Sequence, residues 1–563
     1  MTFHDFKYER PDFEGQKEKL ALLIETFKAA IDADHQLDTF KKINKERAYV
    51  STMQTLASIR HSIDTRDPFY DEENTYWDEA GPLYEELDNW FYDALLSSPF
   101  RDVLESQVGT QFFKLIECEK RAFSSDIIAD LQEENRLASA YSKLLASAEI
   151  EFQGDIYTLP GLAKFAQDKD RSVREAALTA RYAFFTEHEA TLDDIYDQLI
   201  QVRSDIAKKL GFNNFTELGY VRMKRTDYNA IDVANFRKQV RDVIVPVASD
   251  IYEKQRARLG LDKLRYFDLL FEFESGNAMP KGDPDWILAQ GTKMYSELSP
   301  ETKAFFDVMV DQKLLDLVNK DGKQGGGYCT YINDYKVPFI FSNFNGTSGD
   351  IDVLTHEAGH AFQVYRSRHI EIPELAFPTF ESCEIHSMSM EFFTWPWMEL
   401  FFETDVEKYK YSHLASALTF IPYGVLVDEY QHFIYDNPTA TKEARKAEWR
   451  RLEKQYLPHK DYEGCDYLAR GGWWHGQSHI FLSPFYYIDY TLAQICALQF
   501  WKRMMNEDPT AWSDYLTLCD VGGSKSFLEL IQLGNLKSPF EDGCVSSVIT
   551  DIKTWLDMPR TLN

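Results

Sequence analysis

The residues best suited to chemistry are two histidines and a glutamate in the pentapeptide His-Glu-Ala-Gly-His, residues 356–360. On an α-helix, positions i and i+4 share one face, so His356 and His360 can bind one metal ion together. Glu357 lies beside them and can reach a water molecule on that ion. Because zinc lowers the pKa of such a water to about 7, a carboxylate base can complete its deprotonation. This HExxH spacing predicts a zinc-dependent peptidase with one zinc ion per chain.

A catalytic zinc ion needs a third protein ligand and one position open to water. The downstream segment FESCEIHSMSMEFF offers Glu381, Glu384 and Glu391 on a predicted second helix. Glu384 and Glu391 are seven residues apart and share a face, so one can bind the ion while the other orients a histidine. By spacing alone, Glu381 and Glu384 are nearly equal candidates for the ligand. Cys383 faces a different side of the helix from Glu384, and we expect a packed thiol there.

A third group of candidates lies near residue 480. Amide hydrolysis builds negative charge on the carbonyl oxygen, and each donor aimed at that oxygen is worth a rate factor of about 10²–10³. His479, Tyr486 and Tyr490 are suited to this, since the two tyrosines are i and i+4 on a predicted helix. His475 and Tyr487 are alternatives for the same roles. The chain has 31 tyrosines, so the pattern is also typical of an aromatic core helix.

These motifs carry a family resemblance. HEAGHAFQVY, followed 24 residues after His360 by Glu384 in ESCEIHSMSMEF, resembles the oligoendopeptidase F and thimet oligopeptidase family of zinc peptidases. The segment WWHGQSHIFLSPFYYIDYTLAQ is similar to the same family, particularly to bacterial members of the Pz-peptidase type that act on collagen-derived peptides. The resemblance is specific from about residue 325 to residue 540. It implies that His356, His360 and Glu384 are the metal ligands and that Glu357 is the general base.

The resemblance also implies roles for the remaining candidates. It gives Glu391 the position of an acid that orients a ligand, and it gives His479, Tyr486 and Tyr490 the role of stabilising the oxyanion. Because the spacing between histidine and tyrosines varies within the family, Tyr487 remains an alternative for one role. The implied fold is a mainly helical, zincin-like molecule of two lobes, with a deep channel that admits only short, unfolded peptides.

The elements that must position these groups are mainly helices. The N-terminal half reads as one amphipathic run after another, and near residue 321 the pattern changes. Aromatic and β-branched residues there predict two short strands, at 328–332 and 337–343. A helix over 351–366, capped by Ser348 or Asp350, then carries the HExxH motif. An edge strand directly before this helix can pair with an extended peptide through main-chain hydrogen bonds.

The length of 563 residues is too great for one compact core. We therefore predict an N-terminal helical region, residues 1–315, that forms much of one lobe, and a catalytic zinc region, residues 316–563. Prolines, Pro82 and Pro422 among them, are predicted to fall between helices.

Composition limits the partners and the location. The formal net charge of −30 disfavours nucleic acid, and the absence of an 18-residue apolar run disfavours a membrane span. Seven scattered cysteines without a CxxC pair fit a reducing compartment, and the first residues lack the apolar core of a secretory signal. We therefore expect a cytoplasmic protein whose partners are short peptides.

Taken together, the sequence predicts a zinc endopeptidase that hydrolyses internal bonds of short oligopeptides, with water activated by Glu357. One alternative is a metallocarboxypeptidase of related helical fold, which would need a cationic group to hold the terminal carboxylate of its substrate. The other alternative is a helical peptide-binding protein that keeps a metal site without turnover.

Overall fold

Helices make up most of the molecule. The computed structural model describes residues 1–560 and is about 70% helical, which confirms the predicted mainly α fold. The helices that precede the larger sheet are α1 (Phe13–Lys28), α2 (Ala33–Ile63), α3 (Pro68–Leu96), α4 (Arg101–Val108), α5 (Thr110–Ala122), α6 (Ile128–Ala146), α7 (Leu159–Leu162), α8 (Arg171–Glu187), α9 (Glu189–Lys209), α10 (Phe215–Arg222), α11 (Ala230–Gln239), α12 (Val245–Arg258), α13 (Pro284–Leu298) and α14 (Pro300–Asp311).

The helices that follow the larger sheet carry the candidate site. They are α15 (Gly349–Ser367), α16 (Phe380–Phe393), α17 (Glu399–Phe402), α18 (Val406–Asp436), α19 (Lys442–Tyr456), α20 (Asp466–Ala469), α21 (Ser478–Leu482), α22 (Tyr487–Met505), α23 (Ala511–Val521), α24 (Phe527–Leu533) and α25 (Cys544–Asp557). Short 3₁₀ turns are Phe3–Asp5, Ser125–Ile127, Ala163–Gln167, Asn333–Tyr335, Pro373–Leu375, Trp395–Trp397, Glu403–Asp405 and Trp473–Gly476, and Val240–Ile244 is a π-helical turn.

Two small sheets complete the described residues. The strands β1 (Ile150–Phe152) and β2 (Asp155–Tyr157) form an antiparallel hairpin. The second sheet has the order β3-β5-β4, where β3 is Leu315–Val318, β4 is Tyr328–Ile332 and β5 is Val337–Phe344. β5 pairs antiparallel with β4 and parallel with β3. The two predicted strands, 328–332 and 337–343, are confirmed to within one residue.

We expected the strand directly before the HExxH helix to be an edge strand, and this expectation was wrong. β5 is the central strand because the short strand β3, which the sequence pattern did not reveal, pairs along its other side. The free edge next to the motif therefore belongs to β4. The proline breaks were also wrong in two places, since Pro82 lies inside α3 and Pro422 lies inside α18. Both prolines are buried, and the packing of their helices offsets the lost backbone hydrogen bond.

A tight turn connects β5 to the motif helix. The carboxylate of Asp350 accepts hydrogen bonds from the backbone N–H groups of Asn345 (2.9 Å) and Gly346 (2.8 Å). Ser348 is the residue before the first turn of α15, but its side chain makes no capping bond. Asp350 thus holds the entry of the helix by bonding the preceding turn, and α15 begins two residues earlier than predicted.

α15 and α16 approach each other backbone to backbone at Gly359. A Cβ atom on Gly359 would lie 2.6 Å from Cα of Ser387 and 2.7 Å from the carbonyl oxygen of His386, both on α16. Only glycine fits this contact, and it lies between the two histidines of the motif. On its far side α16 packs against α22, so every residue of α16 from Glu381 to Met390 is buried. The predicted division of the chain into two regions, between residues 315 and 316, remains a prediction. None of the helices in residues 1–560 has the length and apolar character needed to cross a membrane.

We expect Gly359→Ala to separate α15 from α16, because the added methyl group meets backbone atoms that cannot rotate away. Overpacking of this kind costs about 1–3 kcal/mol. The thermal unfolding midpoint should fall, and zinc affinity, measured by competition with a chromogenic chelator, should fall with it. Gly81→Ala in α3 is the control, since its nearest neighbour would be 3.8 Å away. Equal behaviour of the two variants would contradict the close helix contact.

Candidate active site

Three of the predicted residues meet between α15 and α16. The Nε2 atoms of His356 and His360 lie 3.1 Å and 3.3 Å from Oε2 of Glu384. The two imidazole rings are 5.1 Å apart and nearly perpendicular. The possible ligand atoms of these residues all lie within 4.8 Å of one another. Two imidazole nitrogens and one carboxylate oxygen are the protein donors of many catalytic zinc sites, so the residues fit such an ion.

Glu391 orients His356 from behind. One oxygen of Glu391 lies 2.7 Å from Nδ1 of His356, and the other lies 2.7 Å from Nε2 of His413. The indole N–H of Trp395 donates to Nδ1 of His413 over 3.0 Å, so the proton of that neutral ring is on Nε2. Burial alone would raise the pKa of Glu391, but the bonds with His356 and His413 hold it below its ordinary value. Glu391 therefore accepts from both rings and leaves the Nε2 lone pair of His356 free for an ion.

The structure brings Glu384, and not Glu381, to the two histidines. Glu384 accepts a hydrogen bond from Ser387 over 2.7 Å and another from the hydroxyl of Tyr486. Although its burial opposes ionisation, the neighbouring histidines lower the pKa of Glu384 well below its ordinary value. Glu381 lies one turn earlier and is bonded to Thr379, and burial raises its pKa. Its side chain is therefore a buried acid outside the histidine cluster.

Glu357 has a carboxylate oxygen that is free to act. The residue is buried, and its Oε2 atom has no hydrogen-bond partner among residues 1–560. A Cβ atom on Gly327 would lie only 3.2 Å from the other oxygen, so the missing side chain of this glycine leaves Glu357 open. Burial raises the pKa of Glu357 above its ordinary value. A buried carboxylate without a partner is costly, and it is suited to accept a proton.

A cavity of about 510 Å³ unites these groups. One wall is the edge strand β4, which begins at Tyr328, and the opposite wall is the start of α22. The residues that line it include Gly327, Tyr328, Cys329, His356, Glu357, His360, Phe380, Cys383, Glu384, His479, Tyr486 and Tyr490. The cavity thus places a strand edge, the histidine cluster and the predicted oxyanion donors around one space.

A chain of hydrogen bonds fixes the direction of the Tyr490 hydroxyl. The side-chain amide of Gln477 donates to Nδ1 of His479 over 2.9 Å, and Nε2 of His479 lies 3.1 Å from the oxygen of Tyr490. Burial lowers the pKa of His479 to about 4, so the neutral ring has one proton, on Nε2. Tyr490 accepts that proton in a hydrogen bond, and its own proton is free to point into the cavity.

The alternatives that the sequence left open lie elsewhere. His475 is fully buried between Asp193 (3.0 Å) and Tyr467 (2.7 Å), in a polar cluster away from the cavity. The ring of Tyr487 packs against His479 and does not line the cavity. Tyr486 does line it, but its hydroxyl is bonded to Glu384.

The sequence reasoning missed His413 and Gln477. His413 lies on α18, 22 residues after Glu391, and no local spacing links the two. Gln477 is two residues before His479, a separation that on its own carries no signal for a hydrogen bond. Both act through a neighbour, and only the packed structure reveals them.

A histidine pair, a carboxylate that completes the donor set and an unpaired carboxylate beside them define a metal-dependent hydrolase. Comparisons with known proteins agree. The model for peptidase family M3 matches residues 297–548, and the model for its N-terminal domain matches residues 3–123.

The chain is similar to individual relatives as well. It is 58% identical to the solved structure of Pz peptidase A with an inhibitor, which superimposes with a TM-score of 0.98 over 99% of each chain. It is 24% identical to an oligoendopeptidase F homologue of Borreliella burgdorferi, over 75% of this chain and 73% of the relative. Oligoendopeptidase F from Enterococcus faecium, at 14% identity and a TM-score of 0.62 over 97% and 98% of the two chains, shares the fold. The chain belongs to peptidase family M3 and is a metalloendopeptidase, as the resemblance predicted.

Replacing Glu391 by glutamine tests its orienting role. An amide cannot accept from both histidines, so His356 should lose its fixed ring orientation, and zinc affinity should fall about 10–100-fold. Zinc dissociation constants from competition with a chelator provide the measurement. Glu381→Gln, a change of the same type on the same buried helix, should leave zinc affinity nearly unchanged. If Glu381→Gln lowered zinc affinity more than Glu391→Gln, the assignment of Glu384 as the third ligand would be wrong.

Proposed function

We propose that this protein is a zinc-dependent oligopeptidase that hydrolyses internal bonds of short peptides. The observation that carries the proposal is the convergence of His356, His360 and Glu384 beside the unpaired carboxylate of Glu357. The donor set of two imidazoles and one carboxylate favours zinc. When bound, zinc supplies Lewis-acid chemistry, since it lowers the pKa of a coordinated water and polarises a substrate carbonyl.

The side chains of the cavity divide the remaining work. Glu357 accepts the proton of the attacking water and later delivers it to the leaving amine. Tyr490 donates a hydrogen bond to the carbonyl oxygen as negative charge develops there. His479 holds the oxygen of Tyr490 so that its proton faces the substrate. Tyr486 bonds the second oxygen of Glu384 and thereby positions a metal ligand.

The substrate class follows from the shape of the cavity and from the relatives. Tyr328 and Cys329 of the edge strand β4 line the cavity, so an extended peptide can add to the sheet beside the catalytic groups. Relatives described as oligoendopeptidase F homologues and the similar Pz peptidase A support short peptides as substrates. All seven cysteines are free thiols, which supports the reducing cytoplasm as the location.

We expect Glu357→Gln to abolish most turnover without loss of the metal. Glutamine keeps the shape of the side chain but cannot accept a proton, so kcat should fall about 10²–10⁴-fold. Hydrolysis of an internally quenched peptide with both ends blocked gives kcat, and elemental analysis gives zinc per chain. Near-normal turnover in this variant would contradict the mechanism. Cleavage confined to peptides with free ends would instead favour an exopeptidase.

Tyr490→Phe tests the oxyanion donor. Removing the hydroxyl should lower kcat about 10²–10³-fold while KM and zinc content change little, because the lost bond forms mainly in the transition state. Tyr487→Phe is the matched control on the same turn of α22, since its ring lies outside the cavity. If Tyr487→Phe lowered kcat more than Tyr490→Phe did, the assignment of Tyr490 as the oxyanion donor would be wrong.

A further inference from the structure

A second cavity lies next to the active-site cavity and has no role in the chemistry described so far. Its volume is about 510 Å³. His479 lines the active-site cavity, and Gln477, which bonds His479, lines the second cavity. Most of its wall is apolar and aromatic, with Tyr182, Phe185, Tyr252, Tyr266, Phe420 and Trp473 among the lining residues.

Lys460 brings a positive charge into this aromatic cavity. Its side chain is only 7% exposed, and its ammonium group lies 3.3 Å from the centre of the Trp473 ring. The nearest carboxylate oxygen, on Glu453, is 3.8 Å away and already accepts a hydrogen bond from Tyr462. Among residues 1–560 the ammonium of Lys460 makes no hydrogen bond. The aromatic face and this one longer ion pair offset its desolvation, and the N–H donors of the ammonium remain available to an added anion.

A second polar side chain at this place also makes no hydrogen bond within the described residues. Both ring nitrogens of His459 are buried without a hydrogen bond in the described part of the chain, and the ring stacks on Tyr252 at 3.6 Å. Burial lowers the pKa of Lys460 to about 8, so the lysine is still mostly charged at neutral pH. Two adjacent polar side chains that make no side-chain hydrogen bond within residues 1–560 therefore line one largely apolar cavity, which is the usual composition of a ligand pocket.

We propose that this second cavity is a substrate subsite in which Lys460 binds the C-terminal carboxylate of the peptide, and we call it the Lys460 subsite. The aromatic wall receives the last side chains of the substrate, and His459 adds a hydrogen bond. This inference rests on the peptidase function proposed above. It specifies which end of the peptide is recognised and by which group.

The chemistry of the site favours a peptide end over other anions. The cavity volume lies within the range of about 300–1,000 Å³ that is typical of small-ligand pockets, and its wall is largely apolar. A free phosphate would gain nothing from the aromatic wall, whereas a C-terminal residue joins a carboxylate to an apolar side chain. The charge of −30 on the whole chain repels large acidic partners. The C-terminal residue of a short peptide fits both features of the cavity, because its carboxylate can bind Lys460 and its side chain can pack against the aromatic wall.

The Lys460 subsite is also connected to the catalytic groups. Tyr423, which lines the subsite, donates to the side-chain oxygen of Gln477 over 2.7 Å, and Gln477 in turn donates to His479. His479 then fixes the hydroxyl of Tyr490. The wall that holds the end of the substrate is thus the wall that orients the oxyanion donor. A peptide whose C-terminus reaches Lys460 binds against this chain of bonds.

The experiment uses two internally quenched peptides of one sequence, one ending in a free carboxylate and the other in a carboxamide. For the wild-type holoenzyme we expect kcat/KM to be at least about tenfold higher for the acid, mainly through KM, because a charge-assisted hydrogen bond is lost in the amide. In Lys460→Met the ratio of acid to amide should fall to about one. Lys460→Arg, which keeps the cation, should restore part of the ratio.

Lys454→Met is the matched control, since it removes one positive charge from an exposed site six residues earlier. It should keep the wild-type ratio. A wild-type ratio near one overturns the Lys460 subsite without the use of any variant. An unchanged ratio in Lys460→Met overturns it too, because the lysine then only supports the packing. Metal-dependent cleavage of the amide peptide tests the proposed function separately. If neither peptide were cleaved, the proposed peptidase function would be refuted.

Discussion

The close contact between α15 and α16 at Gly359 is the constraint on which the site depends. Because the two backbones approach within the space of a missing methyl group, His356 and His360 come within 3.3 Å of the carboxylate of Glu384. The glycine is one of the two variable residues of the HExxH motif, and metal binding does not require a particular residue type at that position. Its presence is explained by packing, and the packing in turn sets the geometry of the ligands.

The carboxylates around this contact differ in how fully they are bonded. Glu384 and Glu391 have partners on both oxygens, which holds them ionised and orients the histidines. Glu357 is also buried, but its carboxylate accepts no hydrogen bond within residues 1–560, and its side chain lines the cavity. Since an unpaired buried carboxylate is unfavourable for stability, its position beside the histidine cluster supports the proposed role of Glu357 as general base. The same fold thus holds two of these acids in fixed hydrogen bonds and leaves Glu357 without one, as its proposed role as general base requires.

Hydrogen bonds extend this order from the proposed metal ligands to the rest of the proposed substrate site. On one side, Tyr486 joins Glu384 to the start of α22. On the other side, the bonds from Tyr423 through Gln477 and His479 to Tyr490 join the aromatic cavity to the proposed oxyanion donor. Because each member of this chain has its donor and acceptor assigned by its neighbour, binding geometry at one cavity and proton direction at the other are set together.

The sequence alone determined the features that depend on neighbours within a few residues. These were the i, i+4 histidines of α15, the strands at 328–332 and 337–343, and the family. It did not reveal β3, which lacks a local pattern, and by spacing it could not choose between Glu381 and Glu384. The family resemblance implied Glu384, and the tertiary structure brings that residue to the two histidines. Only the tertiary structure brought His413 to Glu391 and placed Lys460 in an aromatic cavity. Helical periodicity reports which residues share a face, whereas these contacts depend on which faces pack together, and packing involves the whole chain.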